Sequence, residues 1–296
     1  ARKGSLLDCM DDTASPAGAR LVESFLARPE RDLAEIQRRQ ACVEEFSRSP
    51  RAVEEVRETL RHGADLERIL GRLRNRVVRP RELGGLRATV RGLPAIRQTL
   101  SELGKDFPAI QSMASRIELF EELGDLLNRA LEEELPAEIK LDVKGEGGRV
   151  IRAEYDKEFD RLRDLAGGGK RWILELEASE REKTGISNLK VKYNGAFGYF
   201  IEVTKANLHL VPEHYVRKQT MTNAERYYTD ELRTKEKEIL NAEEQAVAKE
   251  QELFEVVVHR ALEDADGLSL VARVLAEVDV FSSWGAILRD RDYCIP

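Results

Sequence analysis

The sequence has few cysteines, few aromatic residues and no long apolar run. Its three cysteines, Cys9, Cys42 and Cys294, are widely spaced and form no Cys-x-x-Cys pair. This pattern argues against a disulfide framework or a cysteine metal centre and is typical of a reduced, cytoplasmic protein. No apolar stretch approaches the ~18 residues that a membrane-spanning helix needs. The sequence does not open with a signal-peptide pattern either, so we expect no membrane association.

The sequence is rich in charged residues and poor in aromatic residues. Of the 296 residues, 35% are charged and only 6% are aromatic, a composition that favours long amphipathic helices over sheets. The formal net charge of the chain is −7. Residues 186–228 depart from this average, because they include six Lys or Arg and three Glu, for a local charge of +3. A basic segment in an acidic chain is the pattern expected of a local contact with a polyanion.

In residues 1–135, apolar residues recur at helical spacing, and residues typical of helix starts separate the segments. Ser49-Pro50 and Pro80 are typical helix starts, with Ser49 as a possible cap. One buried stripe is predicted from apolar residues at helical spacing, namely Leu66, Ile69, Leu70, Leu73 and Val77. The helix that starts at Pro80 is predicted to be interrupted at Pro94. We therefore expect a helical bundle.

Two glycine-rich segments in the middle of the sequence predict interruptions of regular secondary structure. Three glycines within 145–148 predict a loop or a short hairpin across residues 136–150. The run at 167–169 predicts a pause in the helix that begins near Arg152, and Thr184-Gly185 predicts its end.

The basic segment alternates apolar and polar residues in the manner of a small β module. Two strands are predicted from the alternating residues Leu189, Val191 and Tyr193, then Tyr199, Ile201 and Val203. Asn194-Gly195 suits a type I′ turn between them. Residues 215–222 form a third extended piece that would place Lys218, Thr220 and Thr222 on one face.

A long helix is predicted after Thr229, because no Gly or Pro occurs in residues 230–264. Apolar residues seven positions apart indicate packing against a second helix; they are Leu232, Ile239, Ala246 and Leu253. Residues 268–288 predict a last helix. Since one helix leads to the β module and another leads back, we expect the module at the end of a two-helix arm.

Several segments resemble the MutS family of DNA mismatch-repair proteins. They are DLERILGRLRNRVVRPREL (65–83), REKTGISNLKVKYNGAFGYFIEVTKANLHLVPEHYVRKQTMTNAERYYTDEL (181–232), LAEVDV (275–280) and the opening residues 5–29. The resemblance covers essentially the whole chain. It implies a mainly α fold, in which a helical core has a long two-helix lever arm carrying a small antiparallel β clamp at its tip.

The resemblance also implies a division of the chain. Residues 1–169 would form the helical core and the outgoing lever, and residues 170–229 the clamp with its basic β module. Residues 230–296 would form the returning lever helix and the end of the core. The last residues, 292–296, resemble the start of the family's ATPase domain, so we expect that domain to lie outside this sequence.

Family membership implies that the chain grips duplex DNA through the phosphate backbone and couples DNA binding to a distant ATPase. The full-length family member is a DNA-dependent ATPase, but this sequence has no Gly-x-x-x-x-Gly-Lys-[Ser/Thr] motif, and GGGK at 167–170 does not supply one. We therefore expect no catalysis and no cofactor in this chain, with ATP and Mg confined to the absent domain. The family acts as a homodimer, whereas this chain alone is expected to be monomeric or weakly associated.

Within the family, the clamp contacts DNA phosphates. Lys218 and Asn223 match the contacting positions in this sequence, and Lys218 stands where the family usually has Arg. The other candidates for DNA binding are Arg226, Arg217, Lys190, Lys192 and Lys205.

Two other functions remain open from the residues. The chain could be a helical scaffold whose β tip binds a protein partner. It could also bind single strands by stacking bases on aromatic side chains. We expect those side chains to form the core of the module instead; they are Tyr193, Phe197, Tyr199 and Phe200. His209 and His214 have no neighbouring cysteine, and their spacing does not predict a metal site.

Overall fold

Helices dominate the computed structural model of the chain, which describes residues 4–140, 148–195, 197–291 and 293–295. The α-helices are α1 (Leu6–Met10), α2 (Pro16–Ala27), α3 (Leu33–Arg48), α4 (Pro50–His62), α5 (Leu66–Arg74), α6 (Pro80–Leu103), α7 (Pro108–Ser115), α8 (Glu121–Ala130), α9 (Lys157–Thr184), α10 (Asp230–Glu263) and α11 (Ala265–Asp290). The strands are β1 (Lys190–Asn194), β2 (Gly198–Thr204), β3 (Val216–Thr220) and β4 (Ala224–Tyr228). The prediction of a mainly α fold with a small antiparallel β module is confirmed. Within the described ranges, no helix is long and apolar enough to cross a membrane.

The chain divides into two compact units. The first comprises Ala1–Ala137 and Glu255–Pro296, and the second comprises Glu138–Phe254. In the first unit, α11 contacts α2, α3, α4 and α5. Its buried residues include Val271, Val274 and Phe281 and lie on several sides of the helix, as expected of a helix at the centre of a bundle.

Most helix predictions for the first unit are confirmed, with three corrections. Leu66, Ile69, Leu70 and Leu73 are buried in α5, but Val77 is 54% exposed because α5 ends at Arg74. Helix α4 begins at Pro50, although the Ser49 side chain makes no capping hydrogen bond. The predicted interruption at Pro94 is wrong, since α6 continues to Leu103. Proline removes one backbone hydrogen bond there, and burial of Leu93, Ile96 and Leu100 on both sides stabilises the helix.

In the second unit, the predicted pause at 167–169 is also wrong, because α9 is continuous from Lys157 to Thr184. Asp156 caps its start by accepting a hydrogen bond from the Phe159 amide at 2.8 Å, and Gly185 ends it with a φ of 71°. The heptad spacing on α10 is confirmed by burial of all four residues, Leu232, Ile239, Ala246 and Leu253. Of the loop or hairpin predicted at 136–150, residues 141–147 lie outside the described residues.

The sheet has four antiparallel strands in the order β1-β2-β4-β3. Strand β4 was not predicted, although it occupies the interior of the sheet between β2 and β3. The predicted type I′ turn is wrong, because Asn194 pairs with Gly198 and the left-handed φ of 72° occurs at Gly198. A register shift between Arg217 and Gln219 makes Lys218 the extra residue of a β-bulge. The regular alternation predicted for Lys218, Thr220 and Thr222 is therefore interrupted, and β3 ends before Thr222.

One face of the sheet packs on the two long helices of its unit. This cluster includes residues from α9, α10 and the module, among them Ile173, Leu176, Leu232, Ile239, Tyr199, Ile201, Val203, Tyr215 and Tyr227. The predicted core role is confirmed for Tyr199 and Phe200, which are 5% and 2% exposed. Tyr193 is partly buried against the cluster. The prediction is wrong for Phe197, which is 45% exposed at the β1–β2 turn.

Candidate nucleic-acid interface

The face of the sheet opposite the long helices carries a row of polar residues. Strand register places Lys190 beside Glu202, Glu202 beside Arg226, and Arg226 beside Gln219. Because side chains alternate along a strand, these four residues lie on the same face. The basic residues of this face therefore share it with a carboxylate at its centre.

Glu202 forms ion pairs with two of the candidate basic residues. Its Oε1 accepts a hydrogen bond from Lys192 Nζ at 2.6 Å, and its Oε2 lies 3.6 Å from Arg226 Nε. The hydrogen bond from Lys192, together with the charge of Arg226, lowers the pKa of Glu202 despite its partial burial. Lys192 and Arg226 thus stabilise the sheet surface.

Arg226 is further held by two other neighbours. Its Nη1 donates to Gln219 Oε1 at 2.8 Å, and its guanidinium carbon lies 4.3 Å from the centre of the Phe200 ring. Only 17% of the Arg226 side chain is exposed. This position, on an interior strand and over a buried ring, suits a structural role within the module.

Arg217 and Lys218 lie on the edge strand β3. Arg217 is 64% exposed, and its Nη1 is 3.7 Å from Glu225 Oε1, a loose ion pair. Lys218 is exposed, but its Nζ donates to the carbonyl oxygen of Phe197 and lies 5.9 Å from the centre of the Tyr228 ring. The bulge directs the Lys218 ammonium to the β1–β2 turn, so binding of an anion by Lys218 would compete with its contact to the Phe197 carbonyl.

The remaining candidates, Lys190, Lys205 and Asn223, come together at one end of the sheet. Lys205 follows β2, and its amide donates to the carbonyl oxygen of Asn223 at 3.1 Å. Lys190 opens β1 at the same end, because antiparallel pairing places the start of β1 beside the end of β2. All three side chains are exposed. Within the described part of the chain, neither lysine forms an ion pair.

Uncharged polar side chains connect the loops at this end. Asn207 Nδ2 donates to Asn188 Oδ1 at 2.8 Å, and Asn188 Nδ2 donates to Thr204 Oγ1 at 3.1 Å. We call the group of residues 188–190, 204–207 and 221–223 the polar end of the sheet. Sequence reasoning missed Asn188, Thr204 and Asn207, because their proximity depends on strand register. Their only sequence signal is a polar residue within two positions of Lys190 or Lys205.

The structure therefore separates the seven predicted site residues into three groups. Lys190, Lys205 and Asn223 share the polar end, Lys192 and Arg226 share Glu202, and Arg217 and Lys218 lie on β3. Among the residues that the structure describes, no group of His, Cys, Asp or Glu could hold a metal ion. His214 instead packs edge-on against the Tyr215 ring, 5.1 Å between centres.

Comparison with known proteins accounts for this architecture. The family model described as MutS domain III matches residues 1–285. The chain belongs to the MutS family. It is 43% identical to the DNA mismatch repair protein MutS of Geobacillus thermodenitrificans and 42% identical to that of Halalkalibacterium halodurans, in each case over all of this chain. The MutS of Clostridium tetani is 37% identical, also over the whole chain.

The chain spans about a third of the length of these curated MutS relatives, 32% of the Geobacillus protein and 33% of the other two. The resemblance stated from the sequence is confirmed. Within this MutS domain III chain, residues 223–228 (NAERYY) contain the last residue of the β3–β4 connection and all of strand β4. The LAEVDV stretch lies in α11, where Asp279 accepts hydrogen bonds from the amides of Ala14 and Ser15, both at 2.8 Å.

Proposed function

We propose that this chain is the core, lever and clamp part of a mismatch-repair protein, and that its β module grips duplex DNA through the phosphate backbone. The observation that supports this function best is the polar end of the sheet. There, Lys190 and Lys205 form no ion pair within the described part of the chain, and the exposed Asn223 is joined to Lys205 by a backbone hydrogen bond. Lysine and amide groups bind phosphate oxygens without reading bases, so binding would be independent of DNA sequence.

The seven candidates then have different parts in DNA binding. Lys190, Lys205 and Asn223 would contact phosphates directly. Arg217 and Lys218 would add contacts after leaving Glu225 and the Phe197 carbonyl. Lys192 and Arg226 would maintain the sheet surface through Glu202. With so few contacts, affinity should lie near the nonspecific range of ~10⁻⁴–10⁻⁶ M or be weaker.

The nucleotide site and the main dimer contact are proposed to lie in parts of the full-length protein outside this chain. Helix α10 starts directly after β4 and has 34 residues, the last of which belong to the helical unit. It would couple the clamp to the distant ATPase, and two clamps of a homodimer would close around the duplex. Isothermal titration of this chain with Mg-ATP should therefore be flat, and saturable heat would contradict the assignment.

Duplex binding is tested by comparing two lysine substitutions that change net charge equally. Lys205→Ala removes a lysine from the polar end, whereas Lys249→Ala removes one from α10 that pairs with Glu252 at 2.9 Å. Fluorescence anisotropy should show weaker binding for Lys205→Ala, with the slope of log affinity against log salt reduced by about one. Lys249→Ala should keep the slope of the unchanged chain. Equal slopes for both variants would contradict a contact at the polar end.

A protein partner is the second candidate function, because Phe197 and Val216 leave apolar surface on the module, each 45% exposed. Binding to a protein through apolar surface would be insensitive to salt, unlike phosphate binding. A single-strand binder would instead prefer single-stranded over duplex oligonucleotides. The proposed function further expects equal affinity for a G·T duplex and its matched control, and a tenfold preference for the mismatch would contradict it.

A further inference from the structure

Glutamates on both long helices hold the backbone of the β1–β2 hairpin. Glu177 of α9 accepts a hydrogen bond from the Val191 amide through Oε2 at 2.7 Å. Glu236 of α10 accepts one from the Tyr199 amide through Oε1, also at 2.7 Å. Each helix therefore grips a different strand of the hairpin. Hydrogen bonds from amides to carboxylates are roughly twice as strong as bonds between neutral groups.

Both amides are positions that the sheet leaves open. Strand β1 is at the edge of the sheet, so no strand among the described residues lies on the side opposite β2, and Glu177 supplies the acceptor for Val191. The pairing of β2 with β4 ends at Ile201 and Tyr227, before it reaches Tyr199. Glu236 thus supplies the acceptor at the point where β4 has ended. The two carboxylates complete the hydrogen bonding of the hairpin from the helices.

Gly198 shows how closely α10 approaches the hairpin. A Cβ atom on Gly198 would overlap Glu236 Oε1, so a side chain at this position would force the Glu236 carboxylate to move. Its φ of 72° also favours glycine. The contact between Glu236 and the start of β2 therefore depends on both residues.

On α9, Arg181 also contacts the backbone next to Lys190. Arg181 Nε donates to the carbonyl oxygen of Leu189 at 2.7 Å, and Arg181 Nη2 lies 2.6 Å from Glu177 Oε1. The backbone groups on both sides of Lys190 are thus bound to α9, through Leu189 and Val191. The orientation of Lys190 is set by the helix as well as by the sheet.

We propose that Glu177 and Glu236 are positioning residues that tie the β1–β2 hairpin to α9 and α10, and so pass a shift between these helices to the DNA-contacting lysines. This inference rests on the proposed function, because it concerns how Lys190 and Lys205 are presented to phosphates. Lys190 begins β1, and Lys205 directly follows β2. Because β1 and β2 are paired along all of β1, a shift of α9 along α10 would tilt the hairpin as a unit and change the orientation of these lysines.

Positioning and simple electrostatics predict opposite results for the same substitution. Loss of a negative charge near a DNA-binding surface should strengthen phosphate binding. If Glu177 and Glu236 position the hairpin, alanine at either site should instead weaken binding, because Lys190 and Lys205 lose the orientation that the helices impose. Glutamine keeps an acceptor oxygen for the amide but removes the charge. Glu177→Gln and Glu236→Gln should therefore bind at least as tightly as the unchanged chain.

The experiment measures fluorescence anisotropy of a labelled duplex oligonucleotide at several salt concentrations. The matched control is Glu238→Ala, which removes an exposed carboxylate on α10 that pairs with Lys235 at 2.8 Å. We expect unchanged or tighter binding for this control. For Glu177→Ala and Glu236→Ala, we expect weaker binding and a salt slope reduced by as much as about one, with rescue by glutamine. Hydrogen exchange at the Val191 and Tyr199 amides should accelerate in the alanine variants only.

The outcomes separate the inference from the proposed function. Tighter binding by both alanine variants, equal to that of Glu238→Ala, would overturn the positioning role and leave DNA binding intact. Unchanged exchange at Val191 and Tyr199 would also overturn it, whatever the affinity. If the unchanged chain failed to bind duplex DNA, the proposed function would fail and this inference with it.

Discussion

Gly169 on α9 lies directly against Ile239 on α10, and a Cβ atom on Gly169 would stand 2.3 Å from Cγ1 of Ile239. At the neighbouring Gly168, no atom beyond the adjacent residues and the backbone of its own helix lies within 4 Å of the Cβ position. Glycine at position 169 therefore allows α9 to pack closely against Ile239 of α10. Glycine at position 168 has no such role and only lowers the helix propensity of α9.

These two glycines should respond oppositely to alanine. Gly169→Ala should destabilise the chain by about 1–3 kcal/mol through overpacking. Gly168→Ala should stabilise it by up to about 1 kcal/mol, since alanine favours the helix. Urea unfolding followed by circular dichroism measures both free energies. A stabilising effect of both substitutions would show that the packing at Ile239 is looser than described.

Asp279 is predicted to be essential for stability of the helical unit. It is fully buried and accepts hydrogen bonds from two amides at the start of α2 and from Ser15 Oγ at 2.5 Å. Asp279→Ala should reduce the free energy of unfolding by about 3 kcal/mol, because three partly buried donors lose a charged acceptor. Asp266→Ala, an exposed substitution on the same helix, should change it by less than about 0.5 kcal/mol. Similar losses for both variants, measured by chemical denaturation, would argue against the special role of Asp279.

Acid should weaken the β module through Glu202. The hydrogen bond from Lys192 lowers the pKa of Glu202 below its ordinary value of 4.5. The ion pairs of Glu202 therefore stabilise the fold fully above pH 4.5, and this contribution is lost as pH falls through the lowered pKa. Thermal unfolding at a series of pH values should show a stability advantage of the unchanged chain over Glu202→Gln that shrinks with acid. An advantage independent of pH would contradict this assignment.

Hydrogen exchange should be faster in the β module than in α5. Leu66, Ile69, Leu70 and Leu73 are buried in α5, whereas four of the five residues of β3 are exposed. A small sheet with one edge strand open to solvent unfolds locally at low cost. Mass spectrometry of exchanged peptides should rank α5 as more protected than β2, and β2 as more protected than β3. Equal protection of α5 and β3 would contradict the prediction.

Local periodicity predicted much of the fold. The stripe in α5, the seven-residue spacing on α10 and the alternation in β1 and β2 each record which side of one element is buried, so neighbouring residues contain the whole signal. Helix starts at Pro50 and Pro80 are equally local, because proline lacks the amide that a first turn leaves free. The family resemblance added the order in which these elements combine.

Features that depend on distant residues could not be predicted. Strand β4 was missed because its residues alternate weakly and are held by β2 and β3 on either side. The glycines at 167–169 suggested a break, yet α9 continues because Gly169 packs against Ile239, which lies 70 positions further along the chain.

The sequence by itself determined the mainly α fold, the family and the excess of positive charge in residues 186–228. Only the tertiary structure decided which of those charges remain available. Strand register brings Glu202 to Lys192 and Arg226, and the bulge in β3 brings Lys218 to the Phe197 carbonyl. Lys190 and Lys205 are left with Asn223 at the polar end. Composition gives only the number of charged residues. Which of them form ion pairs depends on how the strands pair, because an ion pair requires two side chains within about 4 Å.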